Sequence, residues 1–540
     1  MPSDGWQLRT VPRGLGERYK AEGWWTDDSL GDMVAAGLGS MRDVSFNVHS
    51  QLRPWRGTFA DVDDAARALA ATLASRGVGP GDVLVFQLPN WLEAGITFWA
   101  AAYLGAVVVP IVHFYGEKEV GHILRTVQPE VFVTTAAFGP LEHLATHHAL
   151  VSGLDRAPTW LVVGEGRDLP PGAEPFEAAV GDERIDGPLA VDPDAPAVVG
   201  FTSGTTRDPK GVIHSHRTIG FETRQLAGVV PDFGPPVITG APVGHFIGML
   251  NAFLMPLVKE RPVNLLDVWD PATVLRLMVE EDLSLGGGAT YFLTSVLDHP
   301  DCTPEHLAHM PYCGLGGSTV PVAVMERAES LGIKGFRAYG STEHPSITSC
   351  TIDDPVDKRH TTDGPPMDGV EIRLDDDGQI FSRGPDCFLG YIDPALTETV
   401  FEDDGWYRTG DVGVVDADGY LTITDRISDI IIRGGENISA VEVEEALIII
   451  DDVAEVSVVA APDDRLGERA AAVMRLHEGA TLPTLEQVQT HLAEVGLAKQ
   501  KWPELLFEIA DFPRTPSGKV QKFRLRQDLR AHRSPGSPAS

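Results

Sequence analysis

Phe201-Thr202-Ser203-Gly204-Thr205-Thr206-Arg207-Asp208-Pro209-Lys210-Gly211-Val212 packs four hydroxyl side chains, two glycines and one lysine into twelve residues. An apolar run, Ala195 to Gly200, leads into it, and Val212-Ile213 follows. The composition suits a phosphate cradle: glycine lets backbone N–H groups turn toward an anion, hydroxyls add donors, and lysine supplies charge. It is not a Walker A loop, because Gly211 follows the lysine where Ser or Thr would meet magnesium. On composition alone the stretch also reads as a Ser/Thr/Gly surface turn, so the rest of the chain must decide.

Around this loop the pattern is that of an α/β body. Val62, Ala66, Leu69 and Leu73 recur at helical spacing between Asp61 and Arg76, and Gly77 ends the helix. Asp82 to Leu88 reads as a buried strand, Trp91 to Leu104 as a helix and Ala106 to Val112 as another strand, which together make a βαβ unit. Val131 to Thr134, Trp160 to Val163 and Ala197 to Phe201 add strands, so the expectation is a doubly wound sheet. Gly286-Gly287-Gly288 and Gly314 to Ser318 each follow an apolar stretch, and glycine-rich strand ends mark an edge where a ligand can approach. Upstream, Trp6, Trp24 and Trp25 sit among charges in an arm, residues 1–45, expected to dock its aromatics on the main body.

Beyond Tyr339-Gly340-Ser341-Thr342-Glu343 the texture changes to short strands and Asp/Gly turns. Residues 370–382 and 412–424 read as hairpins of a β-rich part spanning about 350–425. From Asp425-Arg426 a small α+β domain is expected, with a helix at 441–447 and a basic end carrying Lys519, Lys522, Arg524 and Arg526. Residues 534–540 read as a disordered tail.

The chain has 540 residues, 43% hydrophobic and 22% charged, which calls for at least two domains. A net charge of −35 argues against binding to nucleic acid or anionic membranes, so an anionic ligand must be held by local cations and backbone donors. Cys302, Cys313, Cys350 and Cys387 lack metal or disulfide spacing, and no leader or transmembrane run is evident, so the cytoplasm is expected. His143 and His147 lie one helical turn apart, but with no third ligand nearby they read as a solvated helix face. Gly244-His245-Phe246-Ile247-Gly248 reads either as pocket wall or as packed core.

Four later motifs stand in order with the opening loop. They are Tyr339-Gly340-Ser341-Thr342-Glu343, Tyr407-Arg408-Thr409-Gly410-Asp411, Asp425-Arg426 leading to Arg433-Gly434-Gly435-Glu436-Asn437-Ile438, and Pro513-Arg514-Thr515-Pro516-Ser517-Gly518-Lys519. Together they closely resemble the adenylate-forming superfamily of acyl-CoA synthetases, nonribosomal-peptide adenylation domains and luciferases. The resemblance covers nearly the whole chain. It implies a large N-terminal domain, residues 1–427, of two α/β subdomains plus a distorted β-barrel, and a small mobile α+β domain, residues 428–533. It also implies a reaction in two halves: a carboxylate attacks the α-phosphate of ATP to give acyl-adenylate and pyrophosphate, and a thiol then displaces AMP.

The site roles follow from the same resemblance. Thr202, Ser203, Gly204, Thr205, Thr206 and Lys210 would hold the β- and γ-phosphates. Glu343 would bind Mg²⁺, with Thr202 a weaker ligand. Thr342, within the Tyr339–Glu343 motif that includes Gly340 and Ser341, would meet the α-phosphate. Gly316, Gly317, Ser318 and Tyr339 would form the adenine pocket, Asp411 would take the ribose hydroxyls, and Arg426 would be a second nucleotide contact. Lys519 would bridge the attacking carboxylate and the α-phosphate, and with Glu343 and Thr205 it makes up the expected catalytic set.

His245, Phe246, Gly287, Gly288 and Gly340 are expected at the acyl pocket. Acetate-activating relatives place a tryptophan at the position of Gly340, so a longer or bulkier acid is expected: medium- or long-chain, cyclic or aromatic. Gly434, Gly435 and Glu436 resemble a pantetheine tunnel. At the hinge, Ser428 stands where relatives carry Lys or Asp. The implied ligands are ATP, Mg²⁺ and CoA, with a carrier-protein thiol as the alternative acceptor; a homodimer is left open.

Overall fold

The computed structural model describes residues 5–164, 168–202, 209–434, 436–463, 465–515 and 518–531. The expected disordered tail, 534–540, lies outside them.

The βαβ unit forms as its pattern predicts. Thr58 and Asp61 make a capping box that starts the helix Phe59–Ser75. The helix Leu92–Leu104 ends at Gly105 in the left-handed region (φ 64°), which turns the chain into the strand Val107–Ile111. Every residue of the strands Val83–Gln87, Val107–Ile111 and Val131–Thr135 is buried, because helices cover both faces of a parallel sheet.

These strands belong to an eight-stranded sheet. From one edge its order is Gly390–Tyr391, Lys210–Ser215, Pro196–Thr202, Val107–Ile111, Val83–Gln87, Val131–Thr135, Thr159–Val163 and Ala173–Pro175. The two strands flanking the opening loop are antiparallel, with Thr202 and Lys210 as register partners. A second α/β layer is built on Gly287–Gly288, Tyr312–Gly316 and Lys334–Tyr339, which run parallel and end at one edge, with Thr348–Ser349 antiparallel beside them.

The β-rich part is a four-stranded antiparallel sheet, Glu371–Leu374, Gln379–Arg383, Tyr407–Val415 and Leu421–Arg426, with Asp375 and Gly378 closing its first turn. The small C-terminal domain is a five-stranded sheet with its own apolar core, packed by the helices Ala440–Leu447, Leu485–Glu494 and Lys522–Arg530.

The N-terminal arm docks as expected. Tyr19, Trp24 and Trp25 gather around Phe221, and Trp25 Nε1 donates to Pro385 O at 2.8 Å. The reading of His143 and His147 as a solvated face is corrected: they are 7% and 2% exposed, with their rings stacked 5.1 Å apart. The short helix Leu144–Ser152 turns this side against the sheet, and burial holds the His147 ring down at about 3, hence neutral. Among the described residues no group of three or more His, Cys, Asp or Glu is arranged to hold a metal ion.

Candidate active site

The site lies where the strand ends of the second α/β layer meet the antiparallel sheet and the C-terminal domain. Tyr339 ends the strand Lys334–Tyr339, and its hydroxyl donates to Asp411 Oδ2 at 2.6 Å. Asp411 sits across the ladder from Arg426, whose Nε donates to Asp411 Oδ1 at 2.6 Å. Asp411 is 4% exposed, and the contact with it raises the Arg426 pKa above its ordinary value. Two residues, Tyr339 and Arg426, thus converge on the carboxylate of Asp411.

Residues 340–344 turn sharply after that strand, and the carbonyls of Thr342, Glu343 and His344 are each held. Thr342 O accepts from His214 Nε2 (2.7 Å), Glu343 O from Phe388 N (2.9 Å) and His344 O from Ser341 N (2.9 Å). A Cβ built on Gly340 would lie 1.8 Å from Pro345 O. Glycine is therefore required here by the approach of the chain's own backbone, and the inference from Gly340 to the length of the acid loses its footing.

Glu343 is half-buried and its Oε1 accepts from Tyr391 Oη at 2.8 Å. The Lys210 ammonium stands over the ring of the same tyrosine, 5.1 Å from its centre. Tyr391 therefore ties the lysine of the opening loop to the expected metal ligand. Sequence reasoning missed it, because a tyrosine closing the run Phe388-Leu389-Gly390-Tyr391 carries no local mark of function. His214, whose ring is held neutral by burial at about 4, was missed for the same reason.

Lys519 comes from the C-terminal domain. A tight turn presents it: Thr515 N donates to Lys519 O (2.7 Å) and Lys519 N donates to Thr515 Oγ1 (3.1 Å). A methyl group built on Gly317 would sit 3.7 Å from Lys519 Cε. Burial, together with the nearby Arg426 cation, lowers the Lys519 pKa to about 8, while Asp411 and Glu343 pull it the other way. The C-terminal domain is docked by Arg514, stacked 4.7 Å over Tyr291, and by Glu445 of the helix Ala440–Leu447, which accepts from Val322 N (3.3 Å) at the start of the helix Val322–Ser330.

His245 reaches the same place from the other side. Its Nδ1 is buried without a partner among the described residues, and burial with the charge of Lys519 lowers its pKa to about 4. Phe246 packs into the core, 4.9 Å from the His214 ring. Gly287 and Gly288 lie at the parallel strand ends beside Gly316.

Of the expected residues, Ser203, Gly204, Thr205, Thr206 and Gly435 lie outside the described set. Gly434 and Glu436 are exposed at the hairpin Ile431–Arg433/Glu436–Ile438, and no described hydrogen bond joins them to Lys519. Ser428 is exposed, and its neighbour Asp429 pairs with Arg526 at 2.7 Å, so a charge is present at this junction, one residue later than expected.

Strand ends, the buried Asp411 carboxylate and the Arg426 and Lys519 cations are gathered at one place from two parts of the chain. The chain belongs to the AMP-binding enzymes: the family model for AMP-binding enzyme matches residues 49–392, and that for the AMP-binding enzyme C-terminal domain matches residues 442–519. It is an AMP-forming acid–CoA ligase, activating a carboxylic acid with ATP to an acyl-adenylate that becomes a CoA thioester.

Among its relatives, the medium-chain fatty-acid–CoA ligase of Escherichia coli K12 is 33% identical over 535 residues, covering 95% of this chain and 92% of that protein. A methyl-dioxo-octahydroindenyl-propanoyl:CoA ligase of Rhodococcus jostii RHA1 is 35% identical over 487 residues, covering 88% and 94%. Among solved structures, ATP-bound MatB from Rhodopseudomonas palustris superposes with a TM-score of 0.81 at 25% identity, covering 94% of this chain and all of that one.

Proposed function

We propose that this ligase acts on an apolar carboxylic acid, medium- or long-chain, cyclic or aromatic, with CoA as acceptor, and that Lys519 serves the adenylating half-reaction. The carrying observation is the convergence of Lys519 with Asp411, Glu343, Gly317 and His245 across the two domains. Asp411 takes the ribose hydroxyls, displacing the Tyr339 and Arg426 contacts it now holds. Gly316, Gly317, Ser318 and Tyr339 face the base. Lys210 with Thr202 and the Ser203–Thr206 loop binds the leaving pyrophosphate. Lys519 draws the acid carboxylate and the α-phosphate together and offsets the charge that builds at phosphorus.

Glu343 fits a hard cation: the only described hydrogen bond to its carboxylate is that from Tyr391, and among the described residues no ion pair occupies it. Glu343, with Thr202 at the neighbouring strand end, would hold Mg²⁺, which when bound neutralises phosphate charge. Partly buried Tyr291, beside Gly518 of the Lys519 turn, supports an apolar acid, as do the fatty and fused-ring acids named for the two relatives.

In this reading the domains divide at 427/428, and Gly434, Gly435 and Glu436 serve the thiol step after the C-terminal domain has turned. No helix among the described residues is long and apolar enough to cross a membrane, and the free cysteines suit a reducing cytoplasm.

Pyrophosphate release across a panel of acids, with and without CoA, tests the reading. Acid-dependent release with CoA-dependent turnover is expected. Turnover only with a carrier protein would overturn the choice of acceptor, and amino acids outperforming fatty or ring acids would overturn the choice of acid.

A further inference from the structure

Behind the turn that carries Thr342 and Glu343 lies a connected set of buried polar side chains. His344 and Asp386 are both 0% exposed, and the His344 ring is engaged at both nitrogens: Nε2 donates to Asp386 Oδ1 (3.1 Å) and Nδ1 pairs with Ser382 Oγ (2.8 Å). Asp386 Oδ2 accepts from Ser346 N (3.3 Å), and Ser346 Oγ donates to Glu222 Oε1 (2.9 Å). Glu222 Oε2 has no partner among the described residues, and burial beside Asp386 pushes its carboxyl pKa well up. Room for the pair comes from Gly384, where a Cβ would lie 2.8 Å from His344 Nε2.

Such a cluster is an expensive way to fill a core, since apolar side chains of similar volume pack there at no loss and often at a gain in stability. Its position gives it another use. The His344 side chain is locked inward directly after Glu343, while the Thr342 and Glu343 carbonyls are held from outside the turn by His214 and Phe388, and the His344 carbonyl closes the turn on Ser341 N. The peptide planes of the turn are left little freedom, and Glu343 is directed to Tyr391 on the opposite side.

We infer that His344, braced by Asp386 and Ser382, is a positioning residue for the pyrophosphate-releasing half-reaction, acting through the 341–344 turn on Thr342 and Glu343. The inference rests on the reading that these two residues face the α-phosphate and the metal. It predicts a defect confined to one half-reaction, which a general loss of stability would not produce.

The test uses full-length His344→Gln and Ser382→Ala with three readouts: acid-dependent pyrophosphate release, conversion of supplied acyl-adenylate and CoA to thioester, and the rise in melting temperature on adding MgATP without acid. For His344→Gln, release falls about 30-fold or more, since small misplacements of positioned groups cost on the order of a hundredfold. Thioester formation from supplied adenylate stays within about threefold, and the MgATP-induced rise in melting temperature drops to less than about half the parental value. Ser382→Ala, which removes one hydrogen bond, lowers release about 3- to 10-fold. If His344→Gln does not fold, Ser382→Ala decides alone by the same criteria. Parallel loss of both half-reactions, or release within about threefold of the parent in both variants, would overturn the inference. A parent that releases no pyrophosphate with any acid would instead overturn the adenylation reading itself, and the inference with it.

Discussion

Asp411 stands directly across the antiparallel ladder from Arg426, and their side chains meet at 2.6 Å between Oδ1 and Nε. The hairpin thus folds two separate motifs into one charged pair, and Tyr339 adds its hydroxyl to the other carboxylate oxygen. Replacing Asp411 by Ala removes the proposed acceptor for the ribose and leaves Tyr339 and Arg426 without this partner. Hydrogen bonds to charged groups contribute about 1.5–3 kcal/mol, so KM for ATP is expected to rise about 10- to 100-fold. KM for the acid should change far less. Steady-state kinetics with each substrate varied in turn checks this.

Lys519 sets a pH limit. Its pKa is lowered to about 8, and the proposed role of Lys519 requires the cation, so the competent fraction of free enzyme is expected to fall as pH rises through that value. The ratio kcat/KM for ATP should decline about tenfold per pH unit above the pKa. Bound phosphates raise the pKa, so kcat should decline only at higher pH. Lys519→Arg, which stays charged throughout, should give a lower but flat profile over the same range.

Tyr391→Phe keeps the ring beneath Lys210 and removes only the hydroxyl on Glu343. With one hydrogen bond to a carboxylate lost, kcat/KM for MgATP is expected to fall about 10-fold, with little change in melting temperature. A fall of the same size in thioester formation from supplied acyl-adenylate would speak against the assigned link to Glu343.

Gly340→Ala places a methyl carbon 1.8 Å from Pro345 O, a backbone atom that cannot swing aside. The turn must move, at a cost of about 2–4 kcal/mol. Melting temperature should drop by several degrees and pyrophosphate release should collapse with every acid, long or short. If the substitution instead altered only the preferred acid length, the glycine would belong to the pocket after all.

Much of this was legible in one dimension. Helix and strand periodicities placed the βαβ unit, and the expected helix at 61–76 forms at Phe59–Ser75, because its cap residues and apolar spacing are local properties. That Tyr339, Asp411, Arg426 and Lys519 belong to one cluster was readable because each sits in a short ordered motif. Tyr391 and the His344–Asp386 pair were not, since their meaning arises only when a strand edge and a turn some forty residues away are packed together. His143 and His147 misled for a related reason: helical spacing says which residues share a face, but not whether that face turns to water or to the sheet.

The amino-acid sequence by itself determined the family and the two-part architecture, because those follow from local composition and from the order of five motifs. Only the tertiary structure decided that Tyr391 joins Lys210 to Glu343, that Lys519 reaches across a domain boundary to Gly317, and that Gly340 yields to Pro345 rather than to a substrate. Such relationships depend on where distant backbones come to rest against one another, and it is close packing over the whole fold, not the spacing of residues along the chain, that sets those distances.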